Sequence, residues 1–203
     1  MTFQKDLLEA GKEKVTQLKS FLDELEVQLA LGKAEARDVF EREKKNLNQF
    51  LNEEKARLQR MSEMAEDHRR DLQLLFEKLE ASLYQDFPTN KRKFDSFKKE
   101  SLQAIYELEA GLKEAYGDVG EEMQRKLDEF KAKLDAYRIQ LALGSMEEET
   151  ELAERKQSLQ KSIGEIRTRL AERTSHSGKV DHFVDEISES FEHFKKAFSD
   201  LLN

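Results

Sequence analysis

Two histidines and two glutamates near the C-terminus are the residues whose types and spacing come closest to a metal site. His182, Glu186, Glu189 and His193 follow the spacing i, i+4, i+7 and i+11, which places them along one side of a helix. Imidazole and carboxylate groups so arranged hold divalent metals. Di-metal helical bundles, however, take Glu-x-x-His motifs from several helices, and this sequence contains none. We therefore expect no metal and no cofactor, and interpret these side chains as the solvated flank of a helix.

Other catalytic chemistry has no counterpart in the sequence. The sequence has no cysteine, no glycine-rich phosphate loop, no His-Glu-x-x-His motif and no nucleophile elbow. Carboxylates are plentiful, but carboxylates exposed on a helix surface lack the burial that tunes a catalytic pKa. The sequence therefore predicts a protein that is not an enzyme.

A group of basic residues follows Pro88, the only proline. Only Asp95 opposes this group over residues 91–99. Such a surface could bind an acidic protein, anionic lipid or a nucleic-acid backbone, although basic residues on a helix are usually only solvated. The net charge of −8 argues against nucleic acid as a partner, and a membrane surface is less favoured than a protein. The basic residues are Lys91, Arg92, Lys93, Lys98 and Lys99.

Phenylalanines form a stripe on the last predicted helix. They are most simply interpreted as core, either within one chain or across a dimer. Left uncovered, they would be an apolar patch that attracts a partner or a membrane. The four residues are Phe183, Phe191, Phe194 and Phe198.

The composition is typical of long helices rather than of a mixed fold. Charged residues make up 38% and apolar residues 37% of the 203, too little apolar material for a thick core but enough for seams between helices. The N-terminus does not resemble a signal peptide, and no apolar window reaches the length of a membrane span. We expect a cytoplasmic protein.

Apolar residues recur in steps of three and four, with stretches of eleven, along almost the whole chain. This predicts a single elongated all-α domain in which Gly117 to Gly120 only bend a helix and Thr174 to Gly178 form a loop. The predicted elements are a helix over 3–86, a turn at 87–90, a helix over 91–173, a loop over 174–179 and a helix over 180–202.

An internal repeat relates residues 22–58 to residues 134–170. The two segments are identical at 13 of 37 positions and share Gln-Leu-Ala-Leu-Gly, which ends at Gly32 and at Gly144. Pro88 lies midway between these glycines, so folding the chain there brings the copies together in a long antiparallel coiled-coil hairpin. In this arrangement residue i faces about residue 177 − i, and the short last helix closes the open end as a three-helix bundle. We interpret the two glycines as sites of close helix approach or of a kink; the alternative is a hinge.

The segment 27–41 (VQLALGKAEARDVFE) resembles sequences of uncharacterised bacterial coiled-coil proteins, over about residues 20–55. The resemblance implies a bacterial origin and long helices but no activity. The residues themselves favour a non-enzymatic structural or interaction protein, a spacer or scaffold that binds a protein partner or itself as a dimer. The alternatives are a peripheral membrane or lipid-binding protein that uses the basic residues, and a metal-binding helical protein.

Overall fold

The described part of the chain is entirely helical, which confirms the all-α class. The computed structural model describes the backbone of residues 2–60, 65–85, 88, 90–144 and 149–174, and within these ranges the side chains of residues 14–144 and 150–171. The helices are α1 Thr2–Ala30, α2 Lys33–Arg60, α3 Glu66–Leu83, α4 Lys91–Tyr116, α5 Glu121–Leu143 and α6 Glu149–Thr174. The predicted loop over 174–179 and helix over 180–202 fall outside these ranges, except for Thr174.

The two long predicted helices are each divided into three. Over 3–86 the structure has α1, α2 and α3, and over 91–173 it has α4, α5 and α6. The predicted bend at Gly117 to Gly120 is wrong, since α4 ends there. Gly117 and Gly120 have φ of 85° and 79°, a conformation that costs other L-residues about 1–2 kcal/mol. The Asp118 Oδ1 accepts the Gly120 N–H at 2.9 Å, which closes the turn before α5.

Both copies of Gln-Leu-Ala-Leu-Gly lie at helix C-termini. The first ends α1 at Ala30 and the second ends α5 at Leu143, with the Gly144 N–H donating to the Gln140 carbonyl at 2.9 Å. Gly32 and Gly144 therefore follow the ends of helices instead of lying inside them as predicted. The copies also touch, because Gln140 Nε2 donates to the Leu31 carbonyl at 3.1 Å.

The helices divide into two compact units, with boundaries after Gly32 and after Leu134. The second unit, residues 33–134, contains α2, α3, α4 and most of α5. Successive helices run antiparallel, as shown by the contacts of α3 with α4, where Lys78 pairs with Glu107 and Gln85 donates to Glu100 at 2.6 Å. The result is a four-helix unit in which each connection reverses the chain.

Four phenylalanine rings form the centre of this unit. The Phe40 ring of α2 lies 5.6 Å from that of Phe94 and 6.1 Å from that of Phe97, both on α4, and 6.0 Å from that of Phe130 on α5. All four side chains are at most 2% exposed. Aromatic pairs at these distances add about 0.5–1.5 kcal/mol each beyond the area they bury, so these rings join three of the four helices.

The contacts of the Phe40 ring contradict the predicted long hairpin. In a straight hairpin with residue i opposite about 177 − i, Phe94 would lie opposite Leu83, about 65 Å from Phe40 at ~1.5 Å per residue. The structure brings Phe40 and Phe94 into contact, because the chain also reverses between α2 and α3 and between α4 and α5. Apolar spacing reports which face of a helix is buried, and it does not distinguish a straight continuation from a reversal.

A cluster of buried and half-buried charges joins α4 to α5, on either side of the turn at Gly117. Lys131 Nζ donates to Glu109 Oε1 at 2.6 Å and to Asp128 Oδ1 at 2.9 Å, and it lies 5.1 Å from the centre of the Tyr106 ring. Burial alone would lower the pKa of Lys131, but the hydrogen bonds that Lys131 donates to the two carboxylates, together with their negative charge, outweigh burial and raise the pKa above the ordinary 10.5. The cluster therefore stabilises the antiparallel pairing of α4 and α5.

The first unit contains α1, the end of α5 and α6. The helices α1 and α6 pack together, and the Arg167 guanidinium of α6 pairs with Asp23 and, at 2.7 Å, with Glu26. The predicted register is therefore wrong here, since it places Asp23 opposite Glu154. Over the end of α5, from Leu134 to Leu143, every residue except Asp135 and Arg138 is buried, the environment of a helix surrounded on all sides.

Substitution of Phe40 tests the centre of the second unit. Phe40→Ala is expected to lower the free energy of unfolding by about 3–5 kcal/mol, because it removes a fully buried ring shared by three helices. Phe50→Ala is the matched control, since Phe50 lies on the same helix but is only half-buried; about 1 kcal/mol is expected there. Denaturant unfolding measures both, and equal losses would contradict this description of the core.

Substitution of Lys131 tests the buried charges through their pH dependence. Because the pKa of Lys131 is higher in the folded chain, its contribution is complete below the unfolded value and is lost as pH rises through the folded value. Lys131→Met is expected to cost about 1–3 kcal/mol at pH 7, and the difference from the parent chain should shrink above about pH 10.5. Lys126→Met, on the same helix, serves as control. A difference that stays constant up to pH 11.5 would contradict the prediction.

Candidate functional site

The basic residues predicted from the sequence all lie at the start of α4. Arg92 and Lys99 are seven residues apart and point away from the core, opposite Phe94 and Phe97, while Lys91 and Lys98 lie half-buried beside them. We call the basic surface the set Lys91, Arg92, Lys93, Lys98 and Lys99.

The first turn of α4 is held in place by a cap and by the core. Asn90 precedes the helix in an extended conformation, and its side-chain oxygen accepts the Lys93 N–H at 3.0 Å. Such a cap contributes about 1 kcal/mol. The next turn carries Phe94 and Phe97, which are 0% and 2% exposed. The backbone that carries the basic surface is therefore rigid.

A buried lysine from α2 fixes the chain that leads into α4. Lys44 is 4% exposed, and its Nζ donates to the Gln85 carbonyl at 3.1 Å and to Glu41 Oε1 at 3.2 Å. The same Nζ lies 5.3 Å from the centre of the Phe97 ring, within cation–π range. Since a buried cation needs these partners, Lys44 ties the end of α3 and the start of α4 to α2.

The electrostatic setting reinforces the positive charge of the basic surface. The first turn of α4 contains no acidic residue, whereas α2, α3 and α5 each begin with at least one. The partial positive charge of a helix N-terminus disfavours nearby cations by about 0.3–1 kcal/mol each. The absence of acidic residues and the partial charge of the helix N-terminus both make the local potential positive, on a chain whose net charge is −8.

The outer basic side chains are available to a ligand. Arg92, Lys93 and Lys99 are exposed and have no ion-pair partner among the described residues. The nearest acid in sequence to Lys99, Glu100, already accepts a hydrogen bond from Gln85 at 2.6 Å. Tyr84 precedes the surface in sequence and is 73% exposed. Guanidinium and ammonium donors bind carboxylates or phosphates through charge-assisted hydrogen bonds.

The other candidate residues predicted from the sequence fall largely outside the described ranges. This holds for the four metal candidates, His182, Glu186, Glu189 and His193, and for the phenylalanine stripe of Phe183, Phe191, Phe194 and Phe198. Among the described residues no group of three or more histidine or acidic side chains could hold a metal ion. Pro88 is buried. Within the same ranges no helix has both the length and the apolar character needed to cross a membrane.

Two sets of buried polar residues were missed by sequence reasoning. Lys44 follows Phe40 by four residues and precedes Leu47 by three. This spacing places the lysine in line with the apolar residues of the helix and therefore indicates a buried charge. Gln28 and Gln140 are 1% and 5% exposed and occupy the same position in the two repeat copies. Each follows a buried residue, Leu25 or Tyr137, by three positions, which places it on the same face of its helix.

Substitution of Lys44 tests how the basic surface is held. Lys44→Met keeps the aliphatic volume and removes the hydrogen bond to Gln85 and the cation–π contact. We expect faster amide hydrogen exchange at Tyr84, Gln85 and the first turn of α4, by about tenfold, which corresponds to about 1.4 kcal/mol of local stability. Lys45→Met is the matched control, since Lys45 is exposed. Unchanged exchange in the Lys44 variant would show that the turn is held by other contacts.

Comparison with known proteins assigns no family to the chain. No family model, no curated protein and no solved structure matches it.

Proposed function

We propose that this chain is a non-enzymatic helical interaction protein, a cytoplasmic scaffold whose basic surface binds an acidic segment of a partner protein. The observation that carries the proposal is the basic surface itself. Arg92, Lys93 and Lys99 present three exposed cations without ion-pair partners among the described residues, on an otherwise acidic chain.

Rigidity supports this use of the surface. The Asn90 cap, the Lys44 contacts and the buried Phe94 and Phe97 order the backbone before any partner arrives. A preorganised surface loses less conformational entropy on binding. Complementary charge also speeds encounter with an acidic partner.

An acidic protein fits this surface better than a membrane does. Helices that lie in a membrane interface bury a broad apolar face in the lipid, whereas the apolar face of α4 is already in the core through Phe94, Phe97, Ala104 and Ile105. Tyr84 is the large exposed apolar side chain next to the basic surface in sequence. Electrostatic contact with carboxylates therefore accounts for more of this surface than insertion into lipid.

Charge reversal on the basic surface tests the proposal. The probe is a fluorescent eight-residue glutamate peptide, and the variant is Arg92→Glu with Lys99→Glu. We expect the parent chain to bind the peptide with an affinity that falls as salt rises. The variant is expected to bind at least tenfold more weakly, because two attractive contacts become repulsive. Fluorescence anisotropy measures both affinities.

The matched control carries the same change in charge on α6. Lys161→Glu with Arg169→Glu alters two exposed residues outside the basic surface and is expected to bind as the parent does. If both variants bound the peptide equally weakly, the loss of affinity would follow from net charge alone and the proposal would be overturned. Binding to phosphatidylserine vesicles, without binding to the peptide, would favour the membrane alternative instead.

A further inference from the structure

Ser96 lies among the three exposed cations of the basic surface. Arg92, Ser96 and Lys99 follow the spacing i, i+4 and i+7, which places them along one side of α4. Lys93 is three residues before Ser96, and all four side chains are exposed. Side chains three or four residues apart on a helix have Cβ atoms about 5–6 Å apart. The serine hydroxyl therefore has cations beside it in both directions along the helix.

The directions of these side chains favour a ligand that all of them share. Side chains of a helix lean toward its N-terminus, so Lys99 leans toward Ser96, and Ser96 leans toward Arg92 and Lys93. The guanidinium and ammonium groups only donate hydrogen bonds, and the hydroxyl adds one more O–H donor. Together the four side chains form a donor set for an anionic group above the first two turns of α4.

The acidic residues nearest in sequence are engaged elsewhere. Asp95 is half-buried and has an interaction partner among the described residues. Glu100 accepts a hydrogen bond from Gln85 Nε2 at 2.6 Å. The positive charge around Ser96 is therefore left for a ligand to neutralise.

A phosphate monoester matches this donor set better than a carboxylate does. A phosphorylated side chain carries a charge of about −1.5 to −2 at pH 7 and has three strong acceptor oxygens, whereas a carboxylate has a single charge and two oxygens. An arginine binds phosphate through two parallel hydrogen bonds. One phosphate can therefore accept hydrogen bonds from Arg92, from the Ser96 hydroxyl and from a lysine at the same time.

We propose that the acidic segment bound by the basic surface carries a phosphorylated serine or threonine, whose phosphate is bound by Arg92, Lys93, Ser96 and Lys99. This inference rests on the proposed function, because it names the chemistry of the same partner. Ser96 is a binding residue of this site, and its uncharged hydroxyl is the donor that the basic residues alone do not supply.

Two peptides separate recognition of phosphate from recognition of carboxylate. One is the fluorescent glutamate peptide of the charge-reversal experiment, and the other has phosphoserine in place of its fourth glutamate. We expect the parent chain to bind the phosphopeptide at least tenfold more tightly, as measured by fluorescence anisotropy at equal salt. If neither peptide bound, the proposed function itself would fail. If both bound equally, the proposed function would stand and the phosphate site would be overturned.

Uncharged and charge-conserving substitutions test the residues of the site. Ser96→Ala removes the hydroxyl, and Arg92→Lys keeps the charge but removes the planar pair of donors. Each is expected to weaken binding of the phosphopeptide at least threefold and to leave binding of the glutamate peptide unchanged. Ser158→Ala is the matched control, since Ser158 is exposed on α6, and it should bind both peptides as the parent does.

Alanine and lysine both favour helix, so α4 should persist in these variants, and circular dichroism verifies this. If the Ser96 and Arg92 variants bound the phosphopeptide as tightly as the parent, its advantage would follow from net charge alone and the proposal would be overturned.

A membrane can present the same phosphate chemistry. Vesicles that contain phosphatidylinositol 4-phosphate carry a phosphate monoester at their surface. We expect the parent chain to prefer the phosphopeptide, because the apolar face of α4 is in the core through Phe94 and Phe97 and is not available to lipid. Binding to these vesicles that Ser96→Ala weakens, without a preference for the phosphopeptide over the glutamate peptide, would overturn the proposal in favour of a lipid headgroup.

Discussion

Phe40 lies where α2, α4 and α5 meet, with its ring 5.6 Å from that of Phe94 and 6.0 Å from that of Phe130. This contact requires the chain to reverse on both sides of α3 and again after α4, since no straight pair of helices brings these residues together. The short connections, the antiparallel neighbours and the position of α4 all follow from that requirement. The same core contacts fix the position of the basic surface, because the turns of α4 that place Phe94 and Phe97 in the core place the cations on the outside.

The sequence predicted the buried faces well and the chain direction poorly. Leu112, Val119 and Met123 keep helical spacing, and all three are buried, yet the chain reverses between the first two. The glycines at 117 and 120 are the signal of this reversal in the sequence, but an apolar pattern does not show that their φ angles are positive. The sequence shows the spacing of apolar residues, whereas the reversal of the chain between α4 and α5 depends on the backbone torsion angles of Gly117 and Gly120.

The sequence predicted which residues form the basic surface but not the contacts that hold the surface in place. The run of basic residues after Pro88 is plain in the sequence, as is the asparagine that caps α4. The sequence could not show that Lys44, more than 40 residues earlier, reaches the Gln85 carbonyl and fixes the approach to that helix. A contact between distant segments depends on which helices are neighbours, and the repeated spacing of leucines leaves that choice open.

Lysines that lie between helices favour one choice of neighbouring helices over the others. Apolar seams with a heptad spacing match in about one register in three or four, because steps of three and four recur along each helix. A buried cation restricts the register more strongly. If one helix shifts by a turn relative to its neighbour, the cation loses its partner at a cost of several kcal/mol. In the second unit the buried Lys44 joins α2 to Gln85 at the end of α3. The half-buried Lys55 joins α2 to Glu80 of α3, and the half-buried Lys131 joins α5 to Glu109 of α4. Apolar burial therefore supplies most of the stability of the four helices, and these three cations favour the arrangement in which each of them is paired.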